Sequence, residues 1–122
     1  MATFEDVKVL AEHLPEVTAS TSYGTPSLKV RGKSFCRLWG EREYERYDVH
    51  DTEVLVVFCE VEEKGLLIAM SEGSLFTTPH YDGHGAVLVR LDEIDVHDLA
   101  DRLEASYRLK APASLRKSLD QP

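Results

Sequence analysis

The sequence predicts an α+β domain in two layers, an antiparallel sheet with flanking helices, and three observations carry that expectation. Short β-branched runs follow one another at hairpin spacing instead of alternating regularly with helices. Near the C-terminus Val96, Leu99, Ala100, Leu103 and Tyr107 recur at the spacing of one helical face. The chain has 122 residues and a mass of 13.8 kDa, the size of one domain able to bury its own core, so residues 1–122 are read as a single unit.

Each element has a local reason. Thr3 and Asp6 make a capping pattern for a first helix, whose apolar residues Phe4, Val7, Leu10, Ala11 and Leu14 run to Pro15. Val17 to Thr21 is a short edge strand, closed by the Tyr23-Gly24-Thr25-Pro26 turn. Ser27 to Arg31 and Ser34 to Trp39 flank Gly32-Lys33, and glycine in first place suits a type II′ hairpin turn. Alternation along the second of these strands sets Ser34, Cys36 and Leu38 on one face and Phe35, Arg37 and Trp39 on the other. The register is left open, and one register gathers Lys29, Phe35, Arg37 and Trp39 on a common outer face. Glu41 to Asp51 has no apolar period and is read as a solvated loop or ragged strand. Glu53 to Cys59, EVLVVFC, is a central buried strand. A helix follows, with Glu60, Glu62 and Glu63 at its start, Leu66, Leu67 and Met70 as its contacts, and Gly73 at its end. Ala86 to Leu91 is a further strand, Asp95 caps the long helix, Pro112 stops it, and Ala113 to Leu119 adds a short helical turn.

Composition excludes several classes. Hydrophobic residues make up 43% and charged residues 30%, so the chain is globular rather than disordered. No apolar run is long enough to span a membrane, and Glu5, Asp6 and Glu12 are foreign to a secretory leader. Cys36 and Cys59 are expected to be buried reduced thiols of a cytoplasmic protein. The formal net charge is −8, which opposes general affinity for nucleic acid. The charge is uneven, however. Val17 to Gly40 holds no Asp or Glu and carries Lys29, Arg31, Lys33 and Arg37.

The stretch Phe76 to Leu91, FTTPHYDGHGAVLVRL, has the character of a site, a polar turn stiffened by Pro79 that feeds an apolar strand. His80, Asp82 and His84 alternate like metal ligands, yet Gly83 interrupts them and no second ligand cluster exists, so no metal is expected. Ser22, Thr25, Thr77 and Thr78 lack the nucleophile elbow and matched acid that activation by His80 would need, so no catalytic residues are assigned. The glycines lack phosphate-loop spacing.

Three stretches, SYGTPSLKVRGKSFCRL in Ser22 to Leu38, FTTPHYDGHGAVLVRL in Phe76 to Leu91 and DLADRLEASYRLKAP in Asp98 to Pro112, together resemble the MmcQ/YjbR family of small bacterial proteins. The resemblance implies a compact α+β domain similar to frataxin-type and secretion-chaperone-type folds. It also brings a DNA-binding label and no catalytic residues. Two departures stand out: Gly83-His84-Gly85 replaces the family's Gly-aromatic-Pro, which loosens the position of Gly85, and Tyr107 occupies a helix position usually held by Trp. The resulting expectation is a non-enzymatic binding domain without cofactor, a monomer or weak dimer. Its surface for a protein or small molecule is formed by Tyr23, Gly24, Thr25 and Pro26 together with Thr77, Thr78, Pro79, His80 and Tyr81. The alternative is weak, largely non-specific DNA binding by Lys29, Arg31, Lys33 and Arg37.

Overall fold

The computed structural model describes residues 2–50 and 52–121; Asp51, at the end of the expected loop, and the two terminal residues of the expected unit lie outside it. Helix α1 (Phe4–Ala11) leads into strands β1 (Val17–Ser22), β2 (Thr25–Val30) and β3 (Lys33–Leu38). Then come α2 (Glu41–Tyr47), β4 (Val54–Phe58), α3 (Val61–Ala69), β5 (Leu75–Phe76), β6 (Ala86–Arg90), α4 (Val96–Lys110) and α5 (Ala113–Leu119). The strands form one antiparallel sheet in the order β1-β2-β3-β4-β6-β5. This is the expected α+β architecture.

One sheet face packs on helices. Leu28, Val30, Cys36, Leu55, Val57, Val87 and Val89 meet Val7 and Ala11 of α1 and Leu99, Leu103 and Tyr107 of α4. The other face is partly covered too. Trp39, Val54, Val56 and Leu88 gather beneath Tyr44 and Tyr47 of α2 and Tyr81 of the 77–85 turn. The segment expected to be a loop or ragged strand is therefore a helix at Glu41–Tyr47. Its apolar face is made of tyrosines, which a search for aliphatic periodicity passes over; both rings pack on Trp39 with centroids 5.5 Å away.

Several local expectations are corrected. The β2–β3 turn is centred on Arg31-Gly32, with φ of 50° and 80°, so it is type I′ rather than a II′ turn at Gly32-Lys33. The β2–β3 register shifts between Leu28 and Lys29, because Leu28 pairs Cys36 while Lys29 pairs Ser34. Phe35 is the extra residue of this β-bulge, and it turns into the helix-covered core, edge-on to Tyr107 at 5.6 Å. The common outer face of Lys29, Phe35, Arg37 and Trp39 does not form, since Phe35 and Trp39 are both buried on opposite sides of the sheet. Among the helices, Val96 is 50% exposed at the rim of a groove beside Val9, and Ser106 joins Leu99, Leu103 and Tyr107 in the buried stripe. In α3, Leu66 and Met70 face outward, and Leu67, Ile68 and Lys64 make the inward contacts.

Ser106 repairs what the bulge breaks. Past Cys36–Val57 the ladder would next join Phe35 to Phe58, but the bulge carries Phe35 out of line. The Ser106 hydroxyl enters there, donating to the Phe35 carbonyl and accepting the Phe58 N–H at 2.8 Å. Ser106→Ala leaves both backbone groups buried and unpaired, so unfolding in urea should show a loss of about 2–4 kcal/mol. A control at exposed Ser118 should change stability by less than about 0.5 kcal/mol. Equal stability of the two variants would show that the hydroxyl is not the bridge.

Candidate functional site

A cavity of about 810 Å³ opens on the less covered sheet face. Its floor is Val56, Phe58 and Ala86; one wall is Tyr23, Gly24 and Thr25, and the other is His80, Tyr81 and His84. The start of α2, from Gly40 to Glu43, closes a third side, and Arg37 reaches in from β3.

Each wall is held by local chemistry. Tyr23 and Gly24, with φ of 53° and 78°, form a type I′ turn between Ser22 and Thr25, and the Thr25 hydroxyl donates to the Ser22 carbonyl at 2.9 Å. The turn projects Tyr23, 91% exposed, and the Arg37 guanidinium lies 5.3 Å from the centre of its ring. On the facing wall the Thr78 carbonyl accepts the N–H groups of Tyr81 and Asp82 at 2.9 and 3.0 Å. Buried Lys64 donates its ammonium to the Tyr81 carbonyl and to the His84 carbonyl, the latter at 3.3 Å. Gly85 is not a loosened position: a Cβ there would stand 2.7 Å from the Cys59 carbonyl oxygen, so the strand approaches as closely as only glycine permits.

Glu43 ties the three sides together. Its carboxylate accepts two hydrogen bonds from Arg37 at 2.8 Å, one from the Gly40 N–H at 3.0 Å and one from the Tyr81 hydroxyl at 3.1 Å. Arg37 also donates to the Tyr81 hydroxyl at 3.1 Å. Burial works to raise the Glu43 carboxyl, but the Arg37 pair and the Gly40 N–H outweigh it and hold the group below its ordinary value of 4.5. Burial and the Glu43 charge push the Tyr81 phenol up.

Of the residues singled out in the sequence, Tyr23, Gly24, Thr25, His80, Tyr81 and Arg37 share this cavity. Pro26 sits beside it on β2 and does not line it. Thr77, Thr78 and Pro79 lie behind the wall, where the Thr77 hydroxyl is 3.3 Å from the Asp82 carboxylate. The basic cluster does not act as one surface. Arg31 is bidentate with Glu16 at 2.6 and 2.8 Å, Arg37 is occupied by Glu43, and only Lys29 and Lys33 have no ion pair among the described residues. His80 and His84 stack at 6.2 Å, and no group of three His, Cys, Asp or Glu side chains suited to a metal occurs among the described residues. Sequence reasoning missed Glu43, Arg42, Phe58 and Lys64. For Glu43 a signal existed, since Gly40-x-x-Glu43 has the spacing of a helix start in which the third residue reaches back.

A family model described as YjbR matches residues 12–109. The chain belongs to the YjbR family. It is similar to "Uncharacterized protein Rv2570" of Mycobacterium tuberculosis and "Uncharacterized protein Mb2600" of Mycobacterium bovis, each 44% identical over 63 residues. Those matches cover 49% of this chain and 49% of each relative, so about half the length of the relatives is spanned. Deinococcus radiodurans protein DR2400, a DUF419 domain solved by crystallography, is alike in fold with a TM-score of 0.69 and 22% identity, over 100% of this chain and 91% of that one.

In this YjbR domain the Glu43 carboxylate ties helix, strand and turn only while ionised. Because its folded pKa is depressed, its contribution is complete above the ordinary value of 4.5 and is lost as pH falls through the folded value. The stability gap between wild type and Glu43→Gln should therefore be open near about pH 6 and narrow as the pH is lowered past about 4.5. Chemical denaturation of both proteins across that range measures it, and a gap that stays constant would dissociate the carboxylate charge from the tie.

Proposed function

We propose that this YjbR domain is a non-enzymatic binding module whose ligand, a small molecule or an inserted side chain of a partner protein, seats in the cavity between the Tyr23 and Tyr81 turns. The observation that carries the reading is the convergence of two turns more than fifty residues apart in sequence on one concave, ring-lined space. Tyr23, Phe58, His80, Tyr81 and His84 offer ring surface, and the innermost charges, Arg37 and Glu43, already satisfy each other. The hydroxyls considered as nucleophiles support a binding role too. No hydrogen bond joins His80 to Ser22, Thr25, Thr77 or Thr78 among the described residues, so none has its activating partner in place.

The proposed compartment, the cytoplasm, rests on the thiols. Cys36 and Cys59 are both free and buried, and burial pushes the Cys36 thiol up to about 12 and raises the Cys59 thiol as well, which opposes thiolate formation at both. Such inert thiols suit a cytoplasmic setting, and no described helix is long and apolar enough to cross a membrane. DNA binding has weaker support, because two of the four basic groups are already engaged with carboxylates.

A thermal-shift screen with metabolites, short peptides, zinc and a duplex DNA as separate arms tests the reading. A compound present at a hundredfold its Kd adds about 2.7 kcal/mol of stability. At least one metabolite or peptide should stabilise the wild type, and Tyr23→Ala and His80→Ala should weaken that effect while leaving the unliganded melting point nearly unchanged. Hits indifferent to both substitutions would move binding away from the cavity. Duplex binding that survives moderate salt and depends on Lys29 and Lys33 would replace the proposal with the DNA reading.

A further inference from the structure

Strand β1 forms one edge of the sheet, and that edge is undefended. Thr18, Ala19, Ser20 and Thr21 are exposed, and the strand contains no charged residue, no proline and no register shift against β2. Edge strands ordinarily carry such features because a row of unpaired backbone groups recruits another strand. The opposite edge, β5, is protected by being two residues long.

The direction of the free groups follows from the turn. A two-residue turn makes its closing pair, Ser22 and Thr25, a hydrogen-bonded pair, and alternation along the antiparallel ladder aims the backbone groups of Ser20 and Thr18 at β2 as well. The N–H and C=O groups of Val17, Ala19 and Thr21 therefore point away from the sheet. Pro26 agrees with this phase. It stands opposite Thr21, at a pair that exchanges no backbone hydrogen bond, where its missing N–H costs the β1–β2 ladder nothing.

We infer that β1 pairs antiparallel with β1 of a second copy of this chain, about a two-fold axis at Ala19. In that register Val17 faces the partner's Thr21 and Ala19 faces the partner's Ala19, so every outward group of the three residues is satisfied. Thr18 falls opposite the partner's Ser20, a favourable hydroxyl pair, and no charged residue of the strand meets another. Charge selects this end of the molecule. The chain carries −8 overall, but Val17 to Gly40 holds no Asp or Glu, and Glu16 is neutralised by Arg31, so two acidic copies repel least where their β1 edges meet. The inference stands apart from the cavity and does not depend on its ligand.

Sedimentation equilibrium of the whole chain over a wide concentration range tests the pairing. The wild-type mass should rise with concentration from 13.8 kDa toward twice that value. Ala19→Pro removes an N–H that the β1–β2 ladder does not use, so that variant should melt like the wild type yet remain at 13.8 kDa. Ala19→Lys and Ala19→Glu should each remain monomeric, because like charges face each other across the axis, and mixing the two should restore the dimer in a salt-sensitive way. The last result is specific to the Ala19 register and does not rest on the proline variant folding. A wild type that stays at 13.8 kDa throughout, a dimer that persists in folded Ala19→Pro, or a Lys and Glu mixture that fails to associate would overturn the inference.

Discussion

The hydroxyl of Ser106 between the Phe35 carbonyl and the Phe58 N–H is the contact on which the rest of the structure depends. Without the bulge Phe35 would face away from α4, and the edge-on contact with Tyr107 would be lost. Without Ser106 the bulge would leave two backbone groups stranded in the core. The two features compensate each other, which lets adjacent residues Phe35 and Cys36 both enter the same core while Arg37 still faces the cavity. Tyr107 extends the effect, its hydroxyl donating to the Pro15 carbonyl at 2.7 Å and fixing the chain just before β1.

On the second face the organising group is ionic. Glu43 is the acceptor for strand, helix and turn at once, and it is partly buried with its charge balanced by Arg37. A bidentate pair with added neutral donors is the arrangement in which a partly desolvated carboxylate is stabilised, because each lone pair has a donor. Lys64 performs the complementary task behind the turn, one cation giving a second donor to the Tyr81 and His84 carbonyls, which already accept the N–H groups of His84 and Ala86. The cavity walls are thus set by charged groups, and Tyr23, Phe58, His80, Tyr81 and His84 add ring surface to its lining.

The two mycobacterial relatives bear the name uncharacterized protein and the DUF419 structure is alike in fold alone, so function has to be sought in the site rather than in the architecture. The basic hairpin illustrates the difference between composition and surface. Four cations in an acid-free stretch read as a phosphate-binding patch, but Glu16 and Glu43, outside that stretch, reach two of them.

What the sequence by itself determined is whatever depends on neighbours along the chain. The cap at Thr3, the existence though not the type of the turn at Gly32, the buried run of β4 and the Leu99, Leu103 and Tyr107 part of the α4 stripe are short-range patterns and were legible, as were the two turns that wall the cavity. Only the tertiary structure decided features that rest on distant partners. Phe35 and Arg37 share an alternation in sequence, and a bulge answered by Ser106, seventy-one residues away, parts them. The Glu41–Tyr47 segment shows no aliphatic period, because its apolar face exists only where Trp39 offers tyrosines a surface. Lys64 looks like a solvent-facing helix residue until the 81–84 carbonyls are folded over it. Local propensity is written in adjacent residues, whereas register, burial of charge and the enclosure of a cavity arise from contacts between segments that the linear order keeps apart.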